Sequence, residues 1–271
     1  MLRKNDLWKI AVTVLLLAWV YAPAIWWMVD RWGAKDSYYG HGPLIPLVSG
    51  LLLWWRRKEL AALPAASSGW GWLWVTLGVV LQALSALSRI YFVSALSFFP
   101  LLVGLILLWG GKPLWKEIWF PVLFLLFMVP LPLEVVAQMA FWLKLIAANL
   151  SAKLLASFGF PIIQNGSTLY LPHVTVMVED VCSGLRSLIS LVALGVLCAY
   201  TMRSTRVRRL LLLAATVPIA ISANIFRITV LCFVGELYGT QMVTGLFHDT
   251  MGYVAFGIAF LLFQAFGNWL K

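Results

Sequence analysis

Apolar runs recur along the whole chain, and several reach the ~20 residues that a helix needs to cross a bilayer. In water no compact domain has a use for so much apolar surface. With 62% of its 271 residues hydrophobic and only 11% charged, the chain has the composition of a polytopic helical membrane protein built as a single domain over residues 1–271. Runs at 8–28, 43–55, 70–88, 90–110, 118–131, 183–201, 210–233 and 251–266 are expected to be helical spans. Residues 133–159 differ. Glu134, Gln138, Lys144, Asn149 and Lys153 punctuate that stretch, so it reads as an amphipathic helix that lies in the interface or dips into the bilayer. Next, Asn165-Gly166 stands between short apolar strands, a strong hairpin signal, and 173–178 supplies a third short strand. The expected fold is therefore all-α and polytopic: eight transmembrane helices, one interfacial or re-entrant amphipathic helix and a small outer-face β-hairpin.

A net charge of +10 could point to nucleic acid, but the basic residues are placed otherwise. Arg3, Lys4 and Lys9, Arg56 to Lys58, Lys112 with Lys116, and Arg203 to Arg209 fall in short segments beside the spans, where positive charge sets orientation. This places both termini in the cytoplasm and no nucleic acid among the partners; the lipid bilayer is the expected surrounding. It also puts 36–42, 165–180 and 235–249 on the outer face, provided that 133–159 does not cross completely. The first run resembles a signal peptide, and Ala22-Pro23-Ala24 resembles a cleavage site, yet the apolar run continues through Met28 and is read as a retained span. Cys182, Cys198 and Cys232 have no metal-ligand spacing and are too few for a disulfide framework, so no metal or other cofactor is expected.

One stretch concentrates the chemistry: Glu179-Asp180-Val181-Cys182-Ser183-Gly184-Leu185-Arg186. A polar segment ends there and a membrane helix begins. Asp180 is expected to cap the helix, Cys182 to sit in its first turn where the dipole favours a thiolate, and Arg186 to share its face. A lone Cys in this setting is more often a small buried apolar residue. Two further groups change that balance. Asn224 and Arg227 lie three residues apart, hence on one helical face, in the outer half of their span; His248 and Asp249 open the last span from the same side. An Arg within a span is costly and usually functional, although Arg227 could also snorkel to outer headgroups. His248 alone could be a solvated loop residue.

The residue types suit acyl transfer. A thiolate attacks a carbonyl to form a thioester, an imidazole takes and returns protons near neutral pH, and a guanidinium stabilises the developing oxyanion. Asp249 or Glu179 could orient the imidazole.

These pieces resemble the exosortase/archaeosortase family of membrane cysteine transpeptidase-like enzymes. The matching segments are Cys182-Ser183-Gly184 in EDVCSGLRS, Asn224 to Arg227 in ANIFRI and His248-Asp249 in FHDTMG, with His41 in YYGHGPLIP as an earlier match. The resemblance implies catalytic Cys182, Arg227 and His248. It implies exported substrates with a C-terminal tail made of a short motif such as Pro-Glu-Pro, an apolar helix and basic residues. Such a tail would be cut at the outer face of the plasma (inner) membrane and the protein passed to a surface acceptor, lipid or polysaccharide. Many exosortases continue beyond the point where this chain stops at Lys271. Arg186 is expected to support the thiolate or the tail, and Asn224, Asp249, Glu179, Asp180, Ser183 and Gly184 to support the site. His41 is either a fourth site residue or a cap of the second span, and His173 is structural. Competing readings are a membrane protease or acyltransferase that yields its thioester to water, a transporter, and a scaffold without chemistry. Transport would call for charge near mid-bilayer and inverted repeats, whereas the mid-span regions here are apolar.

Overall fold

A computed structural model describes residues 7–64, 66–243 and 245–270. The basic residues Arg3 and Lys4 lie outside the described residues. The chain forms two compact units, divided between Leu131 and Pro132.

The first unit holds α1 (Leu7–Gly33), α2 (Leu44–Trp55), α3 (Arg57–Ala61), α4 (Trp70–Ser88) and α5 (Tyr91–Phe124), which ends in a 3-10 turn at Leu125–Met128. Glycine lets α4 and α5 approach closely. A Cβ on Gly78 would meet the Leu101 backbone at 2.7 Å, and one on Gly104 would meet Val75 N at 2.6 Å. Gln82 accepts hydrogen bonds from Ser94 (2.8 Å) and Ser97 (2.9 Å), and the Tyr21 hydroxyl bonds Ser97 at 3.0 Å. In lipid such bonds add about 0.6–2 kcal/mol each to helix association.

α5 is not straight. Gly111 has φ 65 and ψ −168, outside the helical region. Val103 and Val122 share one buried cluster, as do Phe99 and Val129. A straight helix would hold Val103 and Val122 roughly 28 Å apart at its ordinary rise per residue. The chain therefore folds back at Gly111, separating the two apolar runs that the sequence placed at 90–110 and 118–131.

The second unit holds α6 (Leu133–Ser157), β1 (Ile163–Asn165), β2 (Thr168–Tyr170), β3 (Thr175–Met177), α7 (Leu185–Thr201), α8 (Arg206–Tyr238) and α9 (Leu246–Trp269). The expected hairpin forms, with Asn165 paired to Thr168 and Gly166 in the left-handed region at φ 60; β3 then pairs antiparallel with β2 to complete a three-stranded sheet. Leu169, Leu171, Val174, Val176 and Val178 of this sheet region pack on Ala147, Ala148, Ala152 and Leu155 of α6 and on Ile228 and Cys232 of α8. Leu155 and Leu169 are wholly buried, so truncating either to Ala should cost about 2–5 kcal/mol.

Eight spans were expected; among the described residues six helices are long and apolar enough to cross a membrane, the folded-back α5 counting as one, and α2 and α7, with 12 and 17 residues, are shorter apolar helices. Among the six is α6, expected to be an interfacial or re-entrant amphipathic helix. Its small residues Ala140, Ala147, Ala148, Ser151 and Ala152 are buried, and Ser151 Oγ donates to the Ile225 carbonyl of α8 at 3.3 Å. Of its polar residues, Glu134, Gln138, Asn149 and Lys153 are exposed, while Lys144 pairs with Asp180 and Asn149 bonds Gln164.

Candidate active site

The sheet, the start of α7, the middle and end of α8 and the start of α9 come together in the second unit. Its assembly begins with the turn that carries Cys182. Val178 N donates to the Ser167 carbonyl at 3.0 Å, ending the sheet, and a single 3-10 turn, Asp180–Cys182, follows. Gly184 adopts φ 85 and redirects the chain into α7. No side chain larger than glycine fits there, because a Cβ would stand 2.8 Å from Asn224 Cγ. That close approach brings Asn224 Nδ2 to the Cys182 carbonyl, which it bonds at 3.0 Å.

The local detail differs from expectation. Asp180 does not cap α7, and Cys182 precedes the helix rather than lying in its first turn. The left-handed glycine comes between them, and Ser183, 3% exposed, accepts from Leu185 N at 3.3 Å in the capping role. Asp180 turns instead to Lys144 Nζ, 2.6 Å away.

Cys182 and His248, from different ends of the unit's sequence, meet directly: Sγ lies 2.7 Å from Nε2. Arg227 Nη2 donates to the His248 carbonyl at 3.3 Å, tying α8 to the first turn of α9. Arg227 Nε is buried and has no hydrogen-bond partner among the described residues. Gly252, one turn beyond His248, lies against the Arg227 guanidinium: a Cβ there would stand 3.4 Å from Nη2, in ordinary contact. Among the described residues no carboxylate hydrogen-bonds the His248 ring; Asp249 and Glu179 are both exposed.

Cys182 is 5% exposed and packs among Val176, Val178 and Ile228. That burial pushes its thiol above the ordinary value, against the thiolate expected from the sequence. Arg227 and then Arg186 pull the other way, while Glu179 and Asp249 add to the rise. Burial thus favours the thiol form of Cys182 beside His248 Nε2. Arg186 is exposed on α7, and its charge acts on the thiol.

The family's sequence model, that of the transmembrane exosortases, matches residues 26–265. The chain belongs to the transmembrane exosortase family. It is a multi-pass membrane protein of that family, and the match spans both compact units. No curated protein and no solved structure shows significant similarity to it.

Of the residues singled out in this exosortase's sequence, Cys182, Asn224, Arg227 and His248 assemble, with Ser183 and Gly184 shaping the turn beneath them. His41 belongs to the first unit. There it stacks on Tyr39 with ring centroids 5.9 Å apart, and burial pushes its imidazole down against a bond to the Phe127 backbone. His173, read as structural, meets Glu236 through Nδ1 at 2.6 Å. Sequence reasoning passed over Lys144 and Gly252. Lys144 was masked by its reading as one polar residue of an amphipathic face; the spacing of Arg227 and His248 from Gly252 carries no signal of its own.

Proposed function

We propose that this exosortase is a cysteine peptidase and transpeptidase that cuts C-terminal sorting tails from exported proteins at the outer face of the plasma membrane. The observation that carries the reading is the 2.7 Å contact between Cys182 Sγ and His248 Nε2, formed across 66 residues of sequence. In the proposed reaction the thiol proton passes to Nε2 as Sγ attacks the carbonyl carbon of the scissile bond. Negative charge collects on the carbonyl oxygen. Arg227 Nε, buried and unpartnered among the described residues, is the donor available to receive it. The C–N bond breaks, the imidazolium returns its proton to the leaving amine, and a Cys182 thioester remains. An acceptor nucleophile, activated by His248, then displaces Sγ.

Burial of Cys182 among sheet and helix residues supports a shielded thioester that outlives the encounter with the tail. The substrate's apolar helix is taken to lie in the bilayer, with its motif level with Cys182. The test is co-expression with an exported protein bearing such a tail, following its size on a gel and the new C-terminus by mass spectrometry. Loss of processing with Cys182→Ala is expected; continued processing would refute the cysteine mechanism. An acceptor attached at the new C-terminus marks transpeptidation, and a free carboxylate marks hydrolysis.

A further inference from the structure

The turn that carries Cys182 is tied to its surroundings at three points. Its entry is held by the sheet through Val178 N and Ser167, and its exit by Asn224 on the Cys182 carbonyl. The third tie is ionic. Lys144 of α6 reaches Asp180, the first residue of the turn, at 2.6 Å. The lysine is the more sheltered partner, its side chain 20% exposed against 54% for Asp180, and its ammonium lies 5.6 Å from the Phe141 ring one turn back on α6. Asp180 in turn accepts the Ser183 amide through its carbonyl at 3.1 Å, closing the turn around Cys182.

We propose that Lys144 is a positioning residue for the nucleophile: through Asp180 it fixes the Asp180–Cys182 turn against α6 and neutralises the carboxylate nearest to Cys182 in sequence. The proposal rests on Cys182 being the nucleophile. Its second half follows from the charges around the thiol. Arg227 and Arg186 favour the thiolate, Glu179 and Asp249 oppose it, and His248 faces the sulfur. Asp180, two residues from Cys182 in sequence, is the carboxylate that carries a lysine partner. Without Lys144 its charge would stand unpaired at the start of the turn that carries the thiol. An exposed ion pair is ordinarily weak. Here its effect is on placement, and a small misplacement of a reacting atom can cost up to ~10²-fold in rate.

The experiment uses the full chain in membranes, co-expressed with a tailed substrate. It reads both substrate processing and the pH profile of Cys182 alkylation, located by peptide mapping. Lys144→Met should slow processing by about tenfold or more and move the alkylation midpoint to higher pH. Lys144→Arg should retain most activity. In the Asp180→Asn background, Lys144→Met should have little further effect, and the alkylation midpoint should return toward that of the parent chain. Equal damage from Lys144→Met with and without the Asp180 carboxylate would mean that the lysine only packs α6, and would overturn the proposal. So would an unshifted alkylation profile in Lys144→Met. Processing by Cys182→Ala is a separate outcome: it would refute the nucleophile itself, not the lysine's tie to the turn.

Discussion

Cys182 Sγ and His248 Nε2 stand 2.7 Å apart although neither belongs to a motif containing the other. Each is delivered by a helix start: Cys182 by the 3-10 turn before α7, and His248 by the first turn of α9. α8 runs between them and fixes both through their backbones, with Asn224 holding the Cys182 carbonyl and Arg227 the His248 carbonyl. The two residues of α8 lie three apart on one face, so a single element sets the distance between the proposed nucleophile and base.

The protonation of this pair gives the first prediction. Burial raises the Cys182 thiol, so the folded protein keeps a proton that the unfolded chain would release. The associated stability is present below the unfolded thiol value and is lost as pH climbs through the higher folded one. Alkylation of Cys182 by a small neutral reagent should accordingly show its midpoint above the reference value of 9.0. Arg227→Gln removes the strongest opposing charge and should move the midpoint higher still; Glu179→Gln should move it lower. A midpoint below the reference value in the parent chain would contradict this account of the site.

Gly184 offers a sharper structural test. Alanine there meets two penalties: a left-handed backbone, costing about 1 kcal/mol or more, and a Cβ 2.8 Å from Asn224 Cγ. Gly166→Ala is the matched comparison, since Gly166 also has positive φ but has nothing within 4 Å of the new Cβ. Gly184→Ala should displace Asn224 and reduce processing severely, while Gly166→Ala should lower thermal stability modestly and leave processing in place. Similar processing by the two variants would remove Asn224 from the positioning of Cys182.

Much of this was legible in the sequence, for physical reasons. Long apolar runs have one solution in lipid, so most of the helices could be read directly. Asn165-Gly166 demands a tight turn, and the sheet followed. Cys182, Arg227 and His248 stood out in the sequence because each is an expensive or reactive group within or at the end of an apolar run. What the sequence hid lies in short-range geometry. The positive φ of Gly184 ended the expected capping by Asp180, and no residue pattern announces a single 3-10 turn. Small residues on α6 turned an apparently amphipathic helix into a packed one, because Ala and Ser register as neutral in hydropathy yet permit close helix contact. Burial of Cys182 depended on the sheet that precedes it and on Ile228, 46 positions away on α8, and reversed the expected sense of its protonation.

Topology within the second unit is open to direct measurement. Arg203, Arg206, Arg208 and Arg209 gather where α7 ends and α8 begins, and positive charge favours the cytoplasm. α8 runs from there to Tyr238, near His173, Glu236 and the sheet. Reporter fusions at Arg206 should read cytoplasmic and those at Tyr238 extracytoplasmic. Reversed signals would place the Cys–His pair on the inner side and rule out cleavage of an exported tail there.

The final prediction separates the three central residues by how each fails. Cys182→Ser keeps the geometry, but a hydroxyl is far less acidic than a thiol in the same buried site, so processing should be nearly absent. His248→Ala removes the only group within reach of the sulfur's proton among the described residues; tail binding should survive while turnover stops, visible as substrate that co-purifies uncut. Arg227→Lys preserves charge but replaces a planar fork by one ammonium. A lysine gathers its donors on one nitrogen and cannot span the His248 carbonyl and the oxyanion as the separate Nη2 and Nε of the guanidinium do. The expected loss is about 10²-fold or more, the size usual for a removed oxyanion donor, and the alkylation midpoint of Cys182 should change little because the charge remains. This pairing of a large rate loss with a nearly constant thiol profile is the signature to measure, by gel-followed processing and mapped alkylation of the same variant. Full activity in Arg227→Lys would reduce the arginine to a source of charge and leave the oxyanion without its assigned donor.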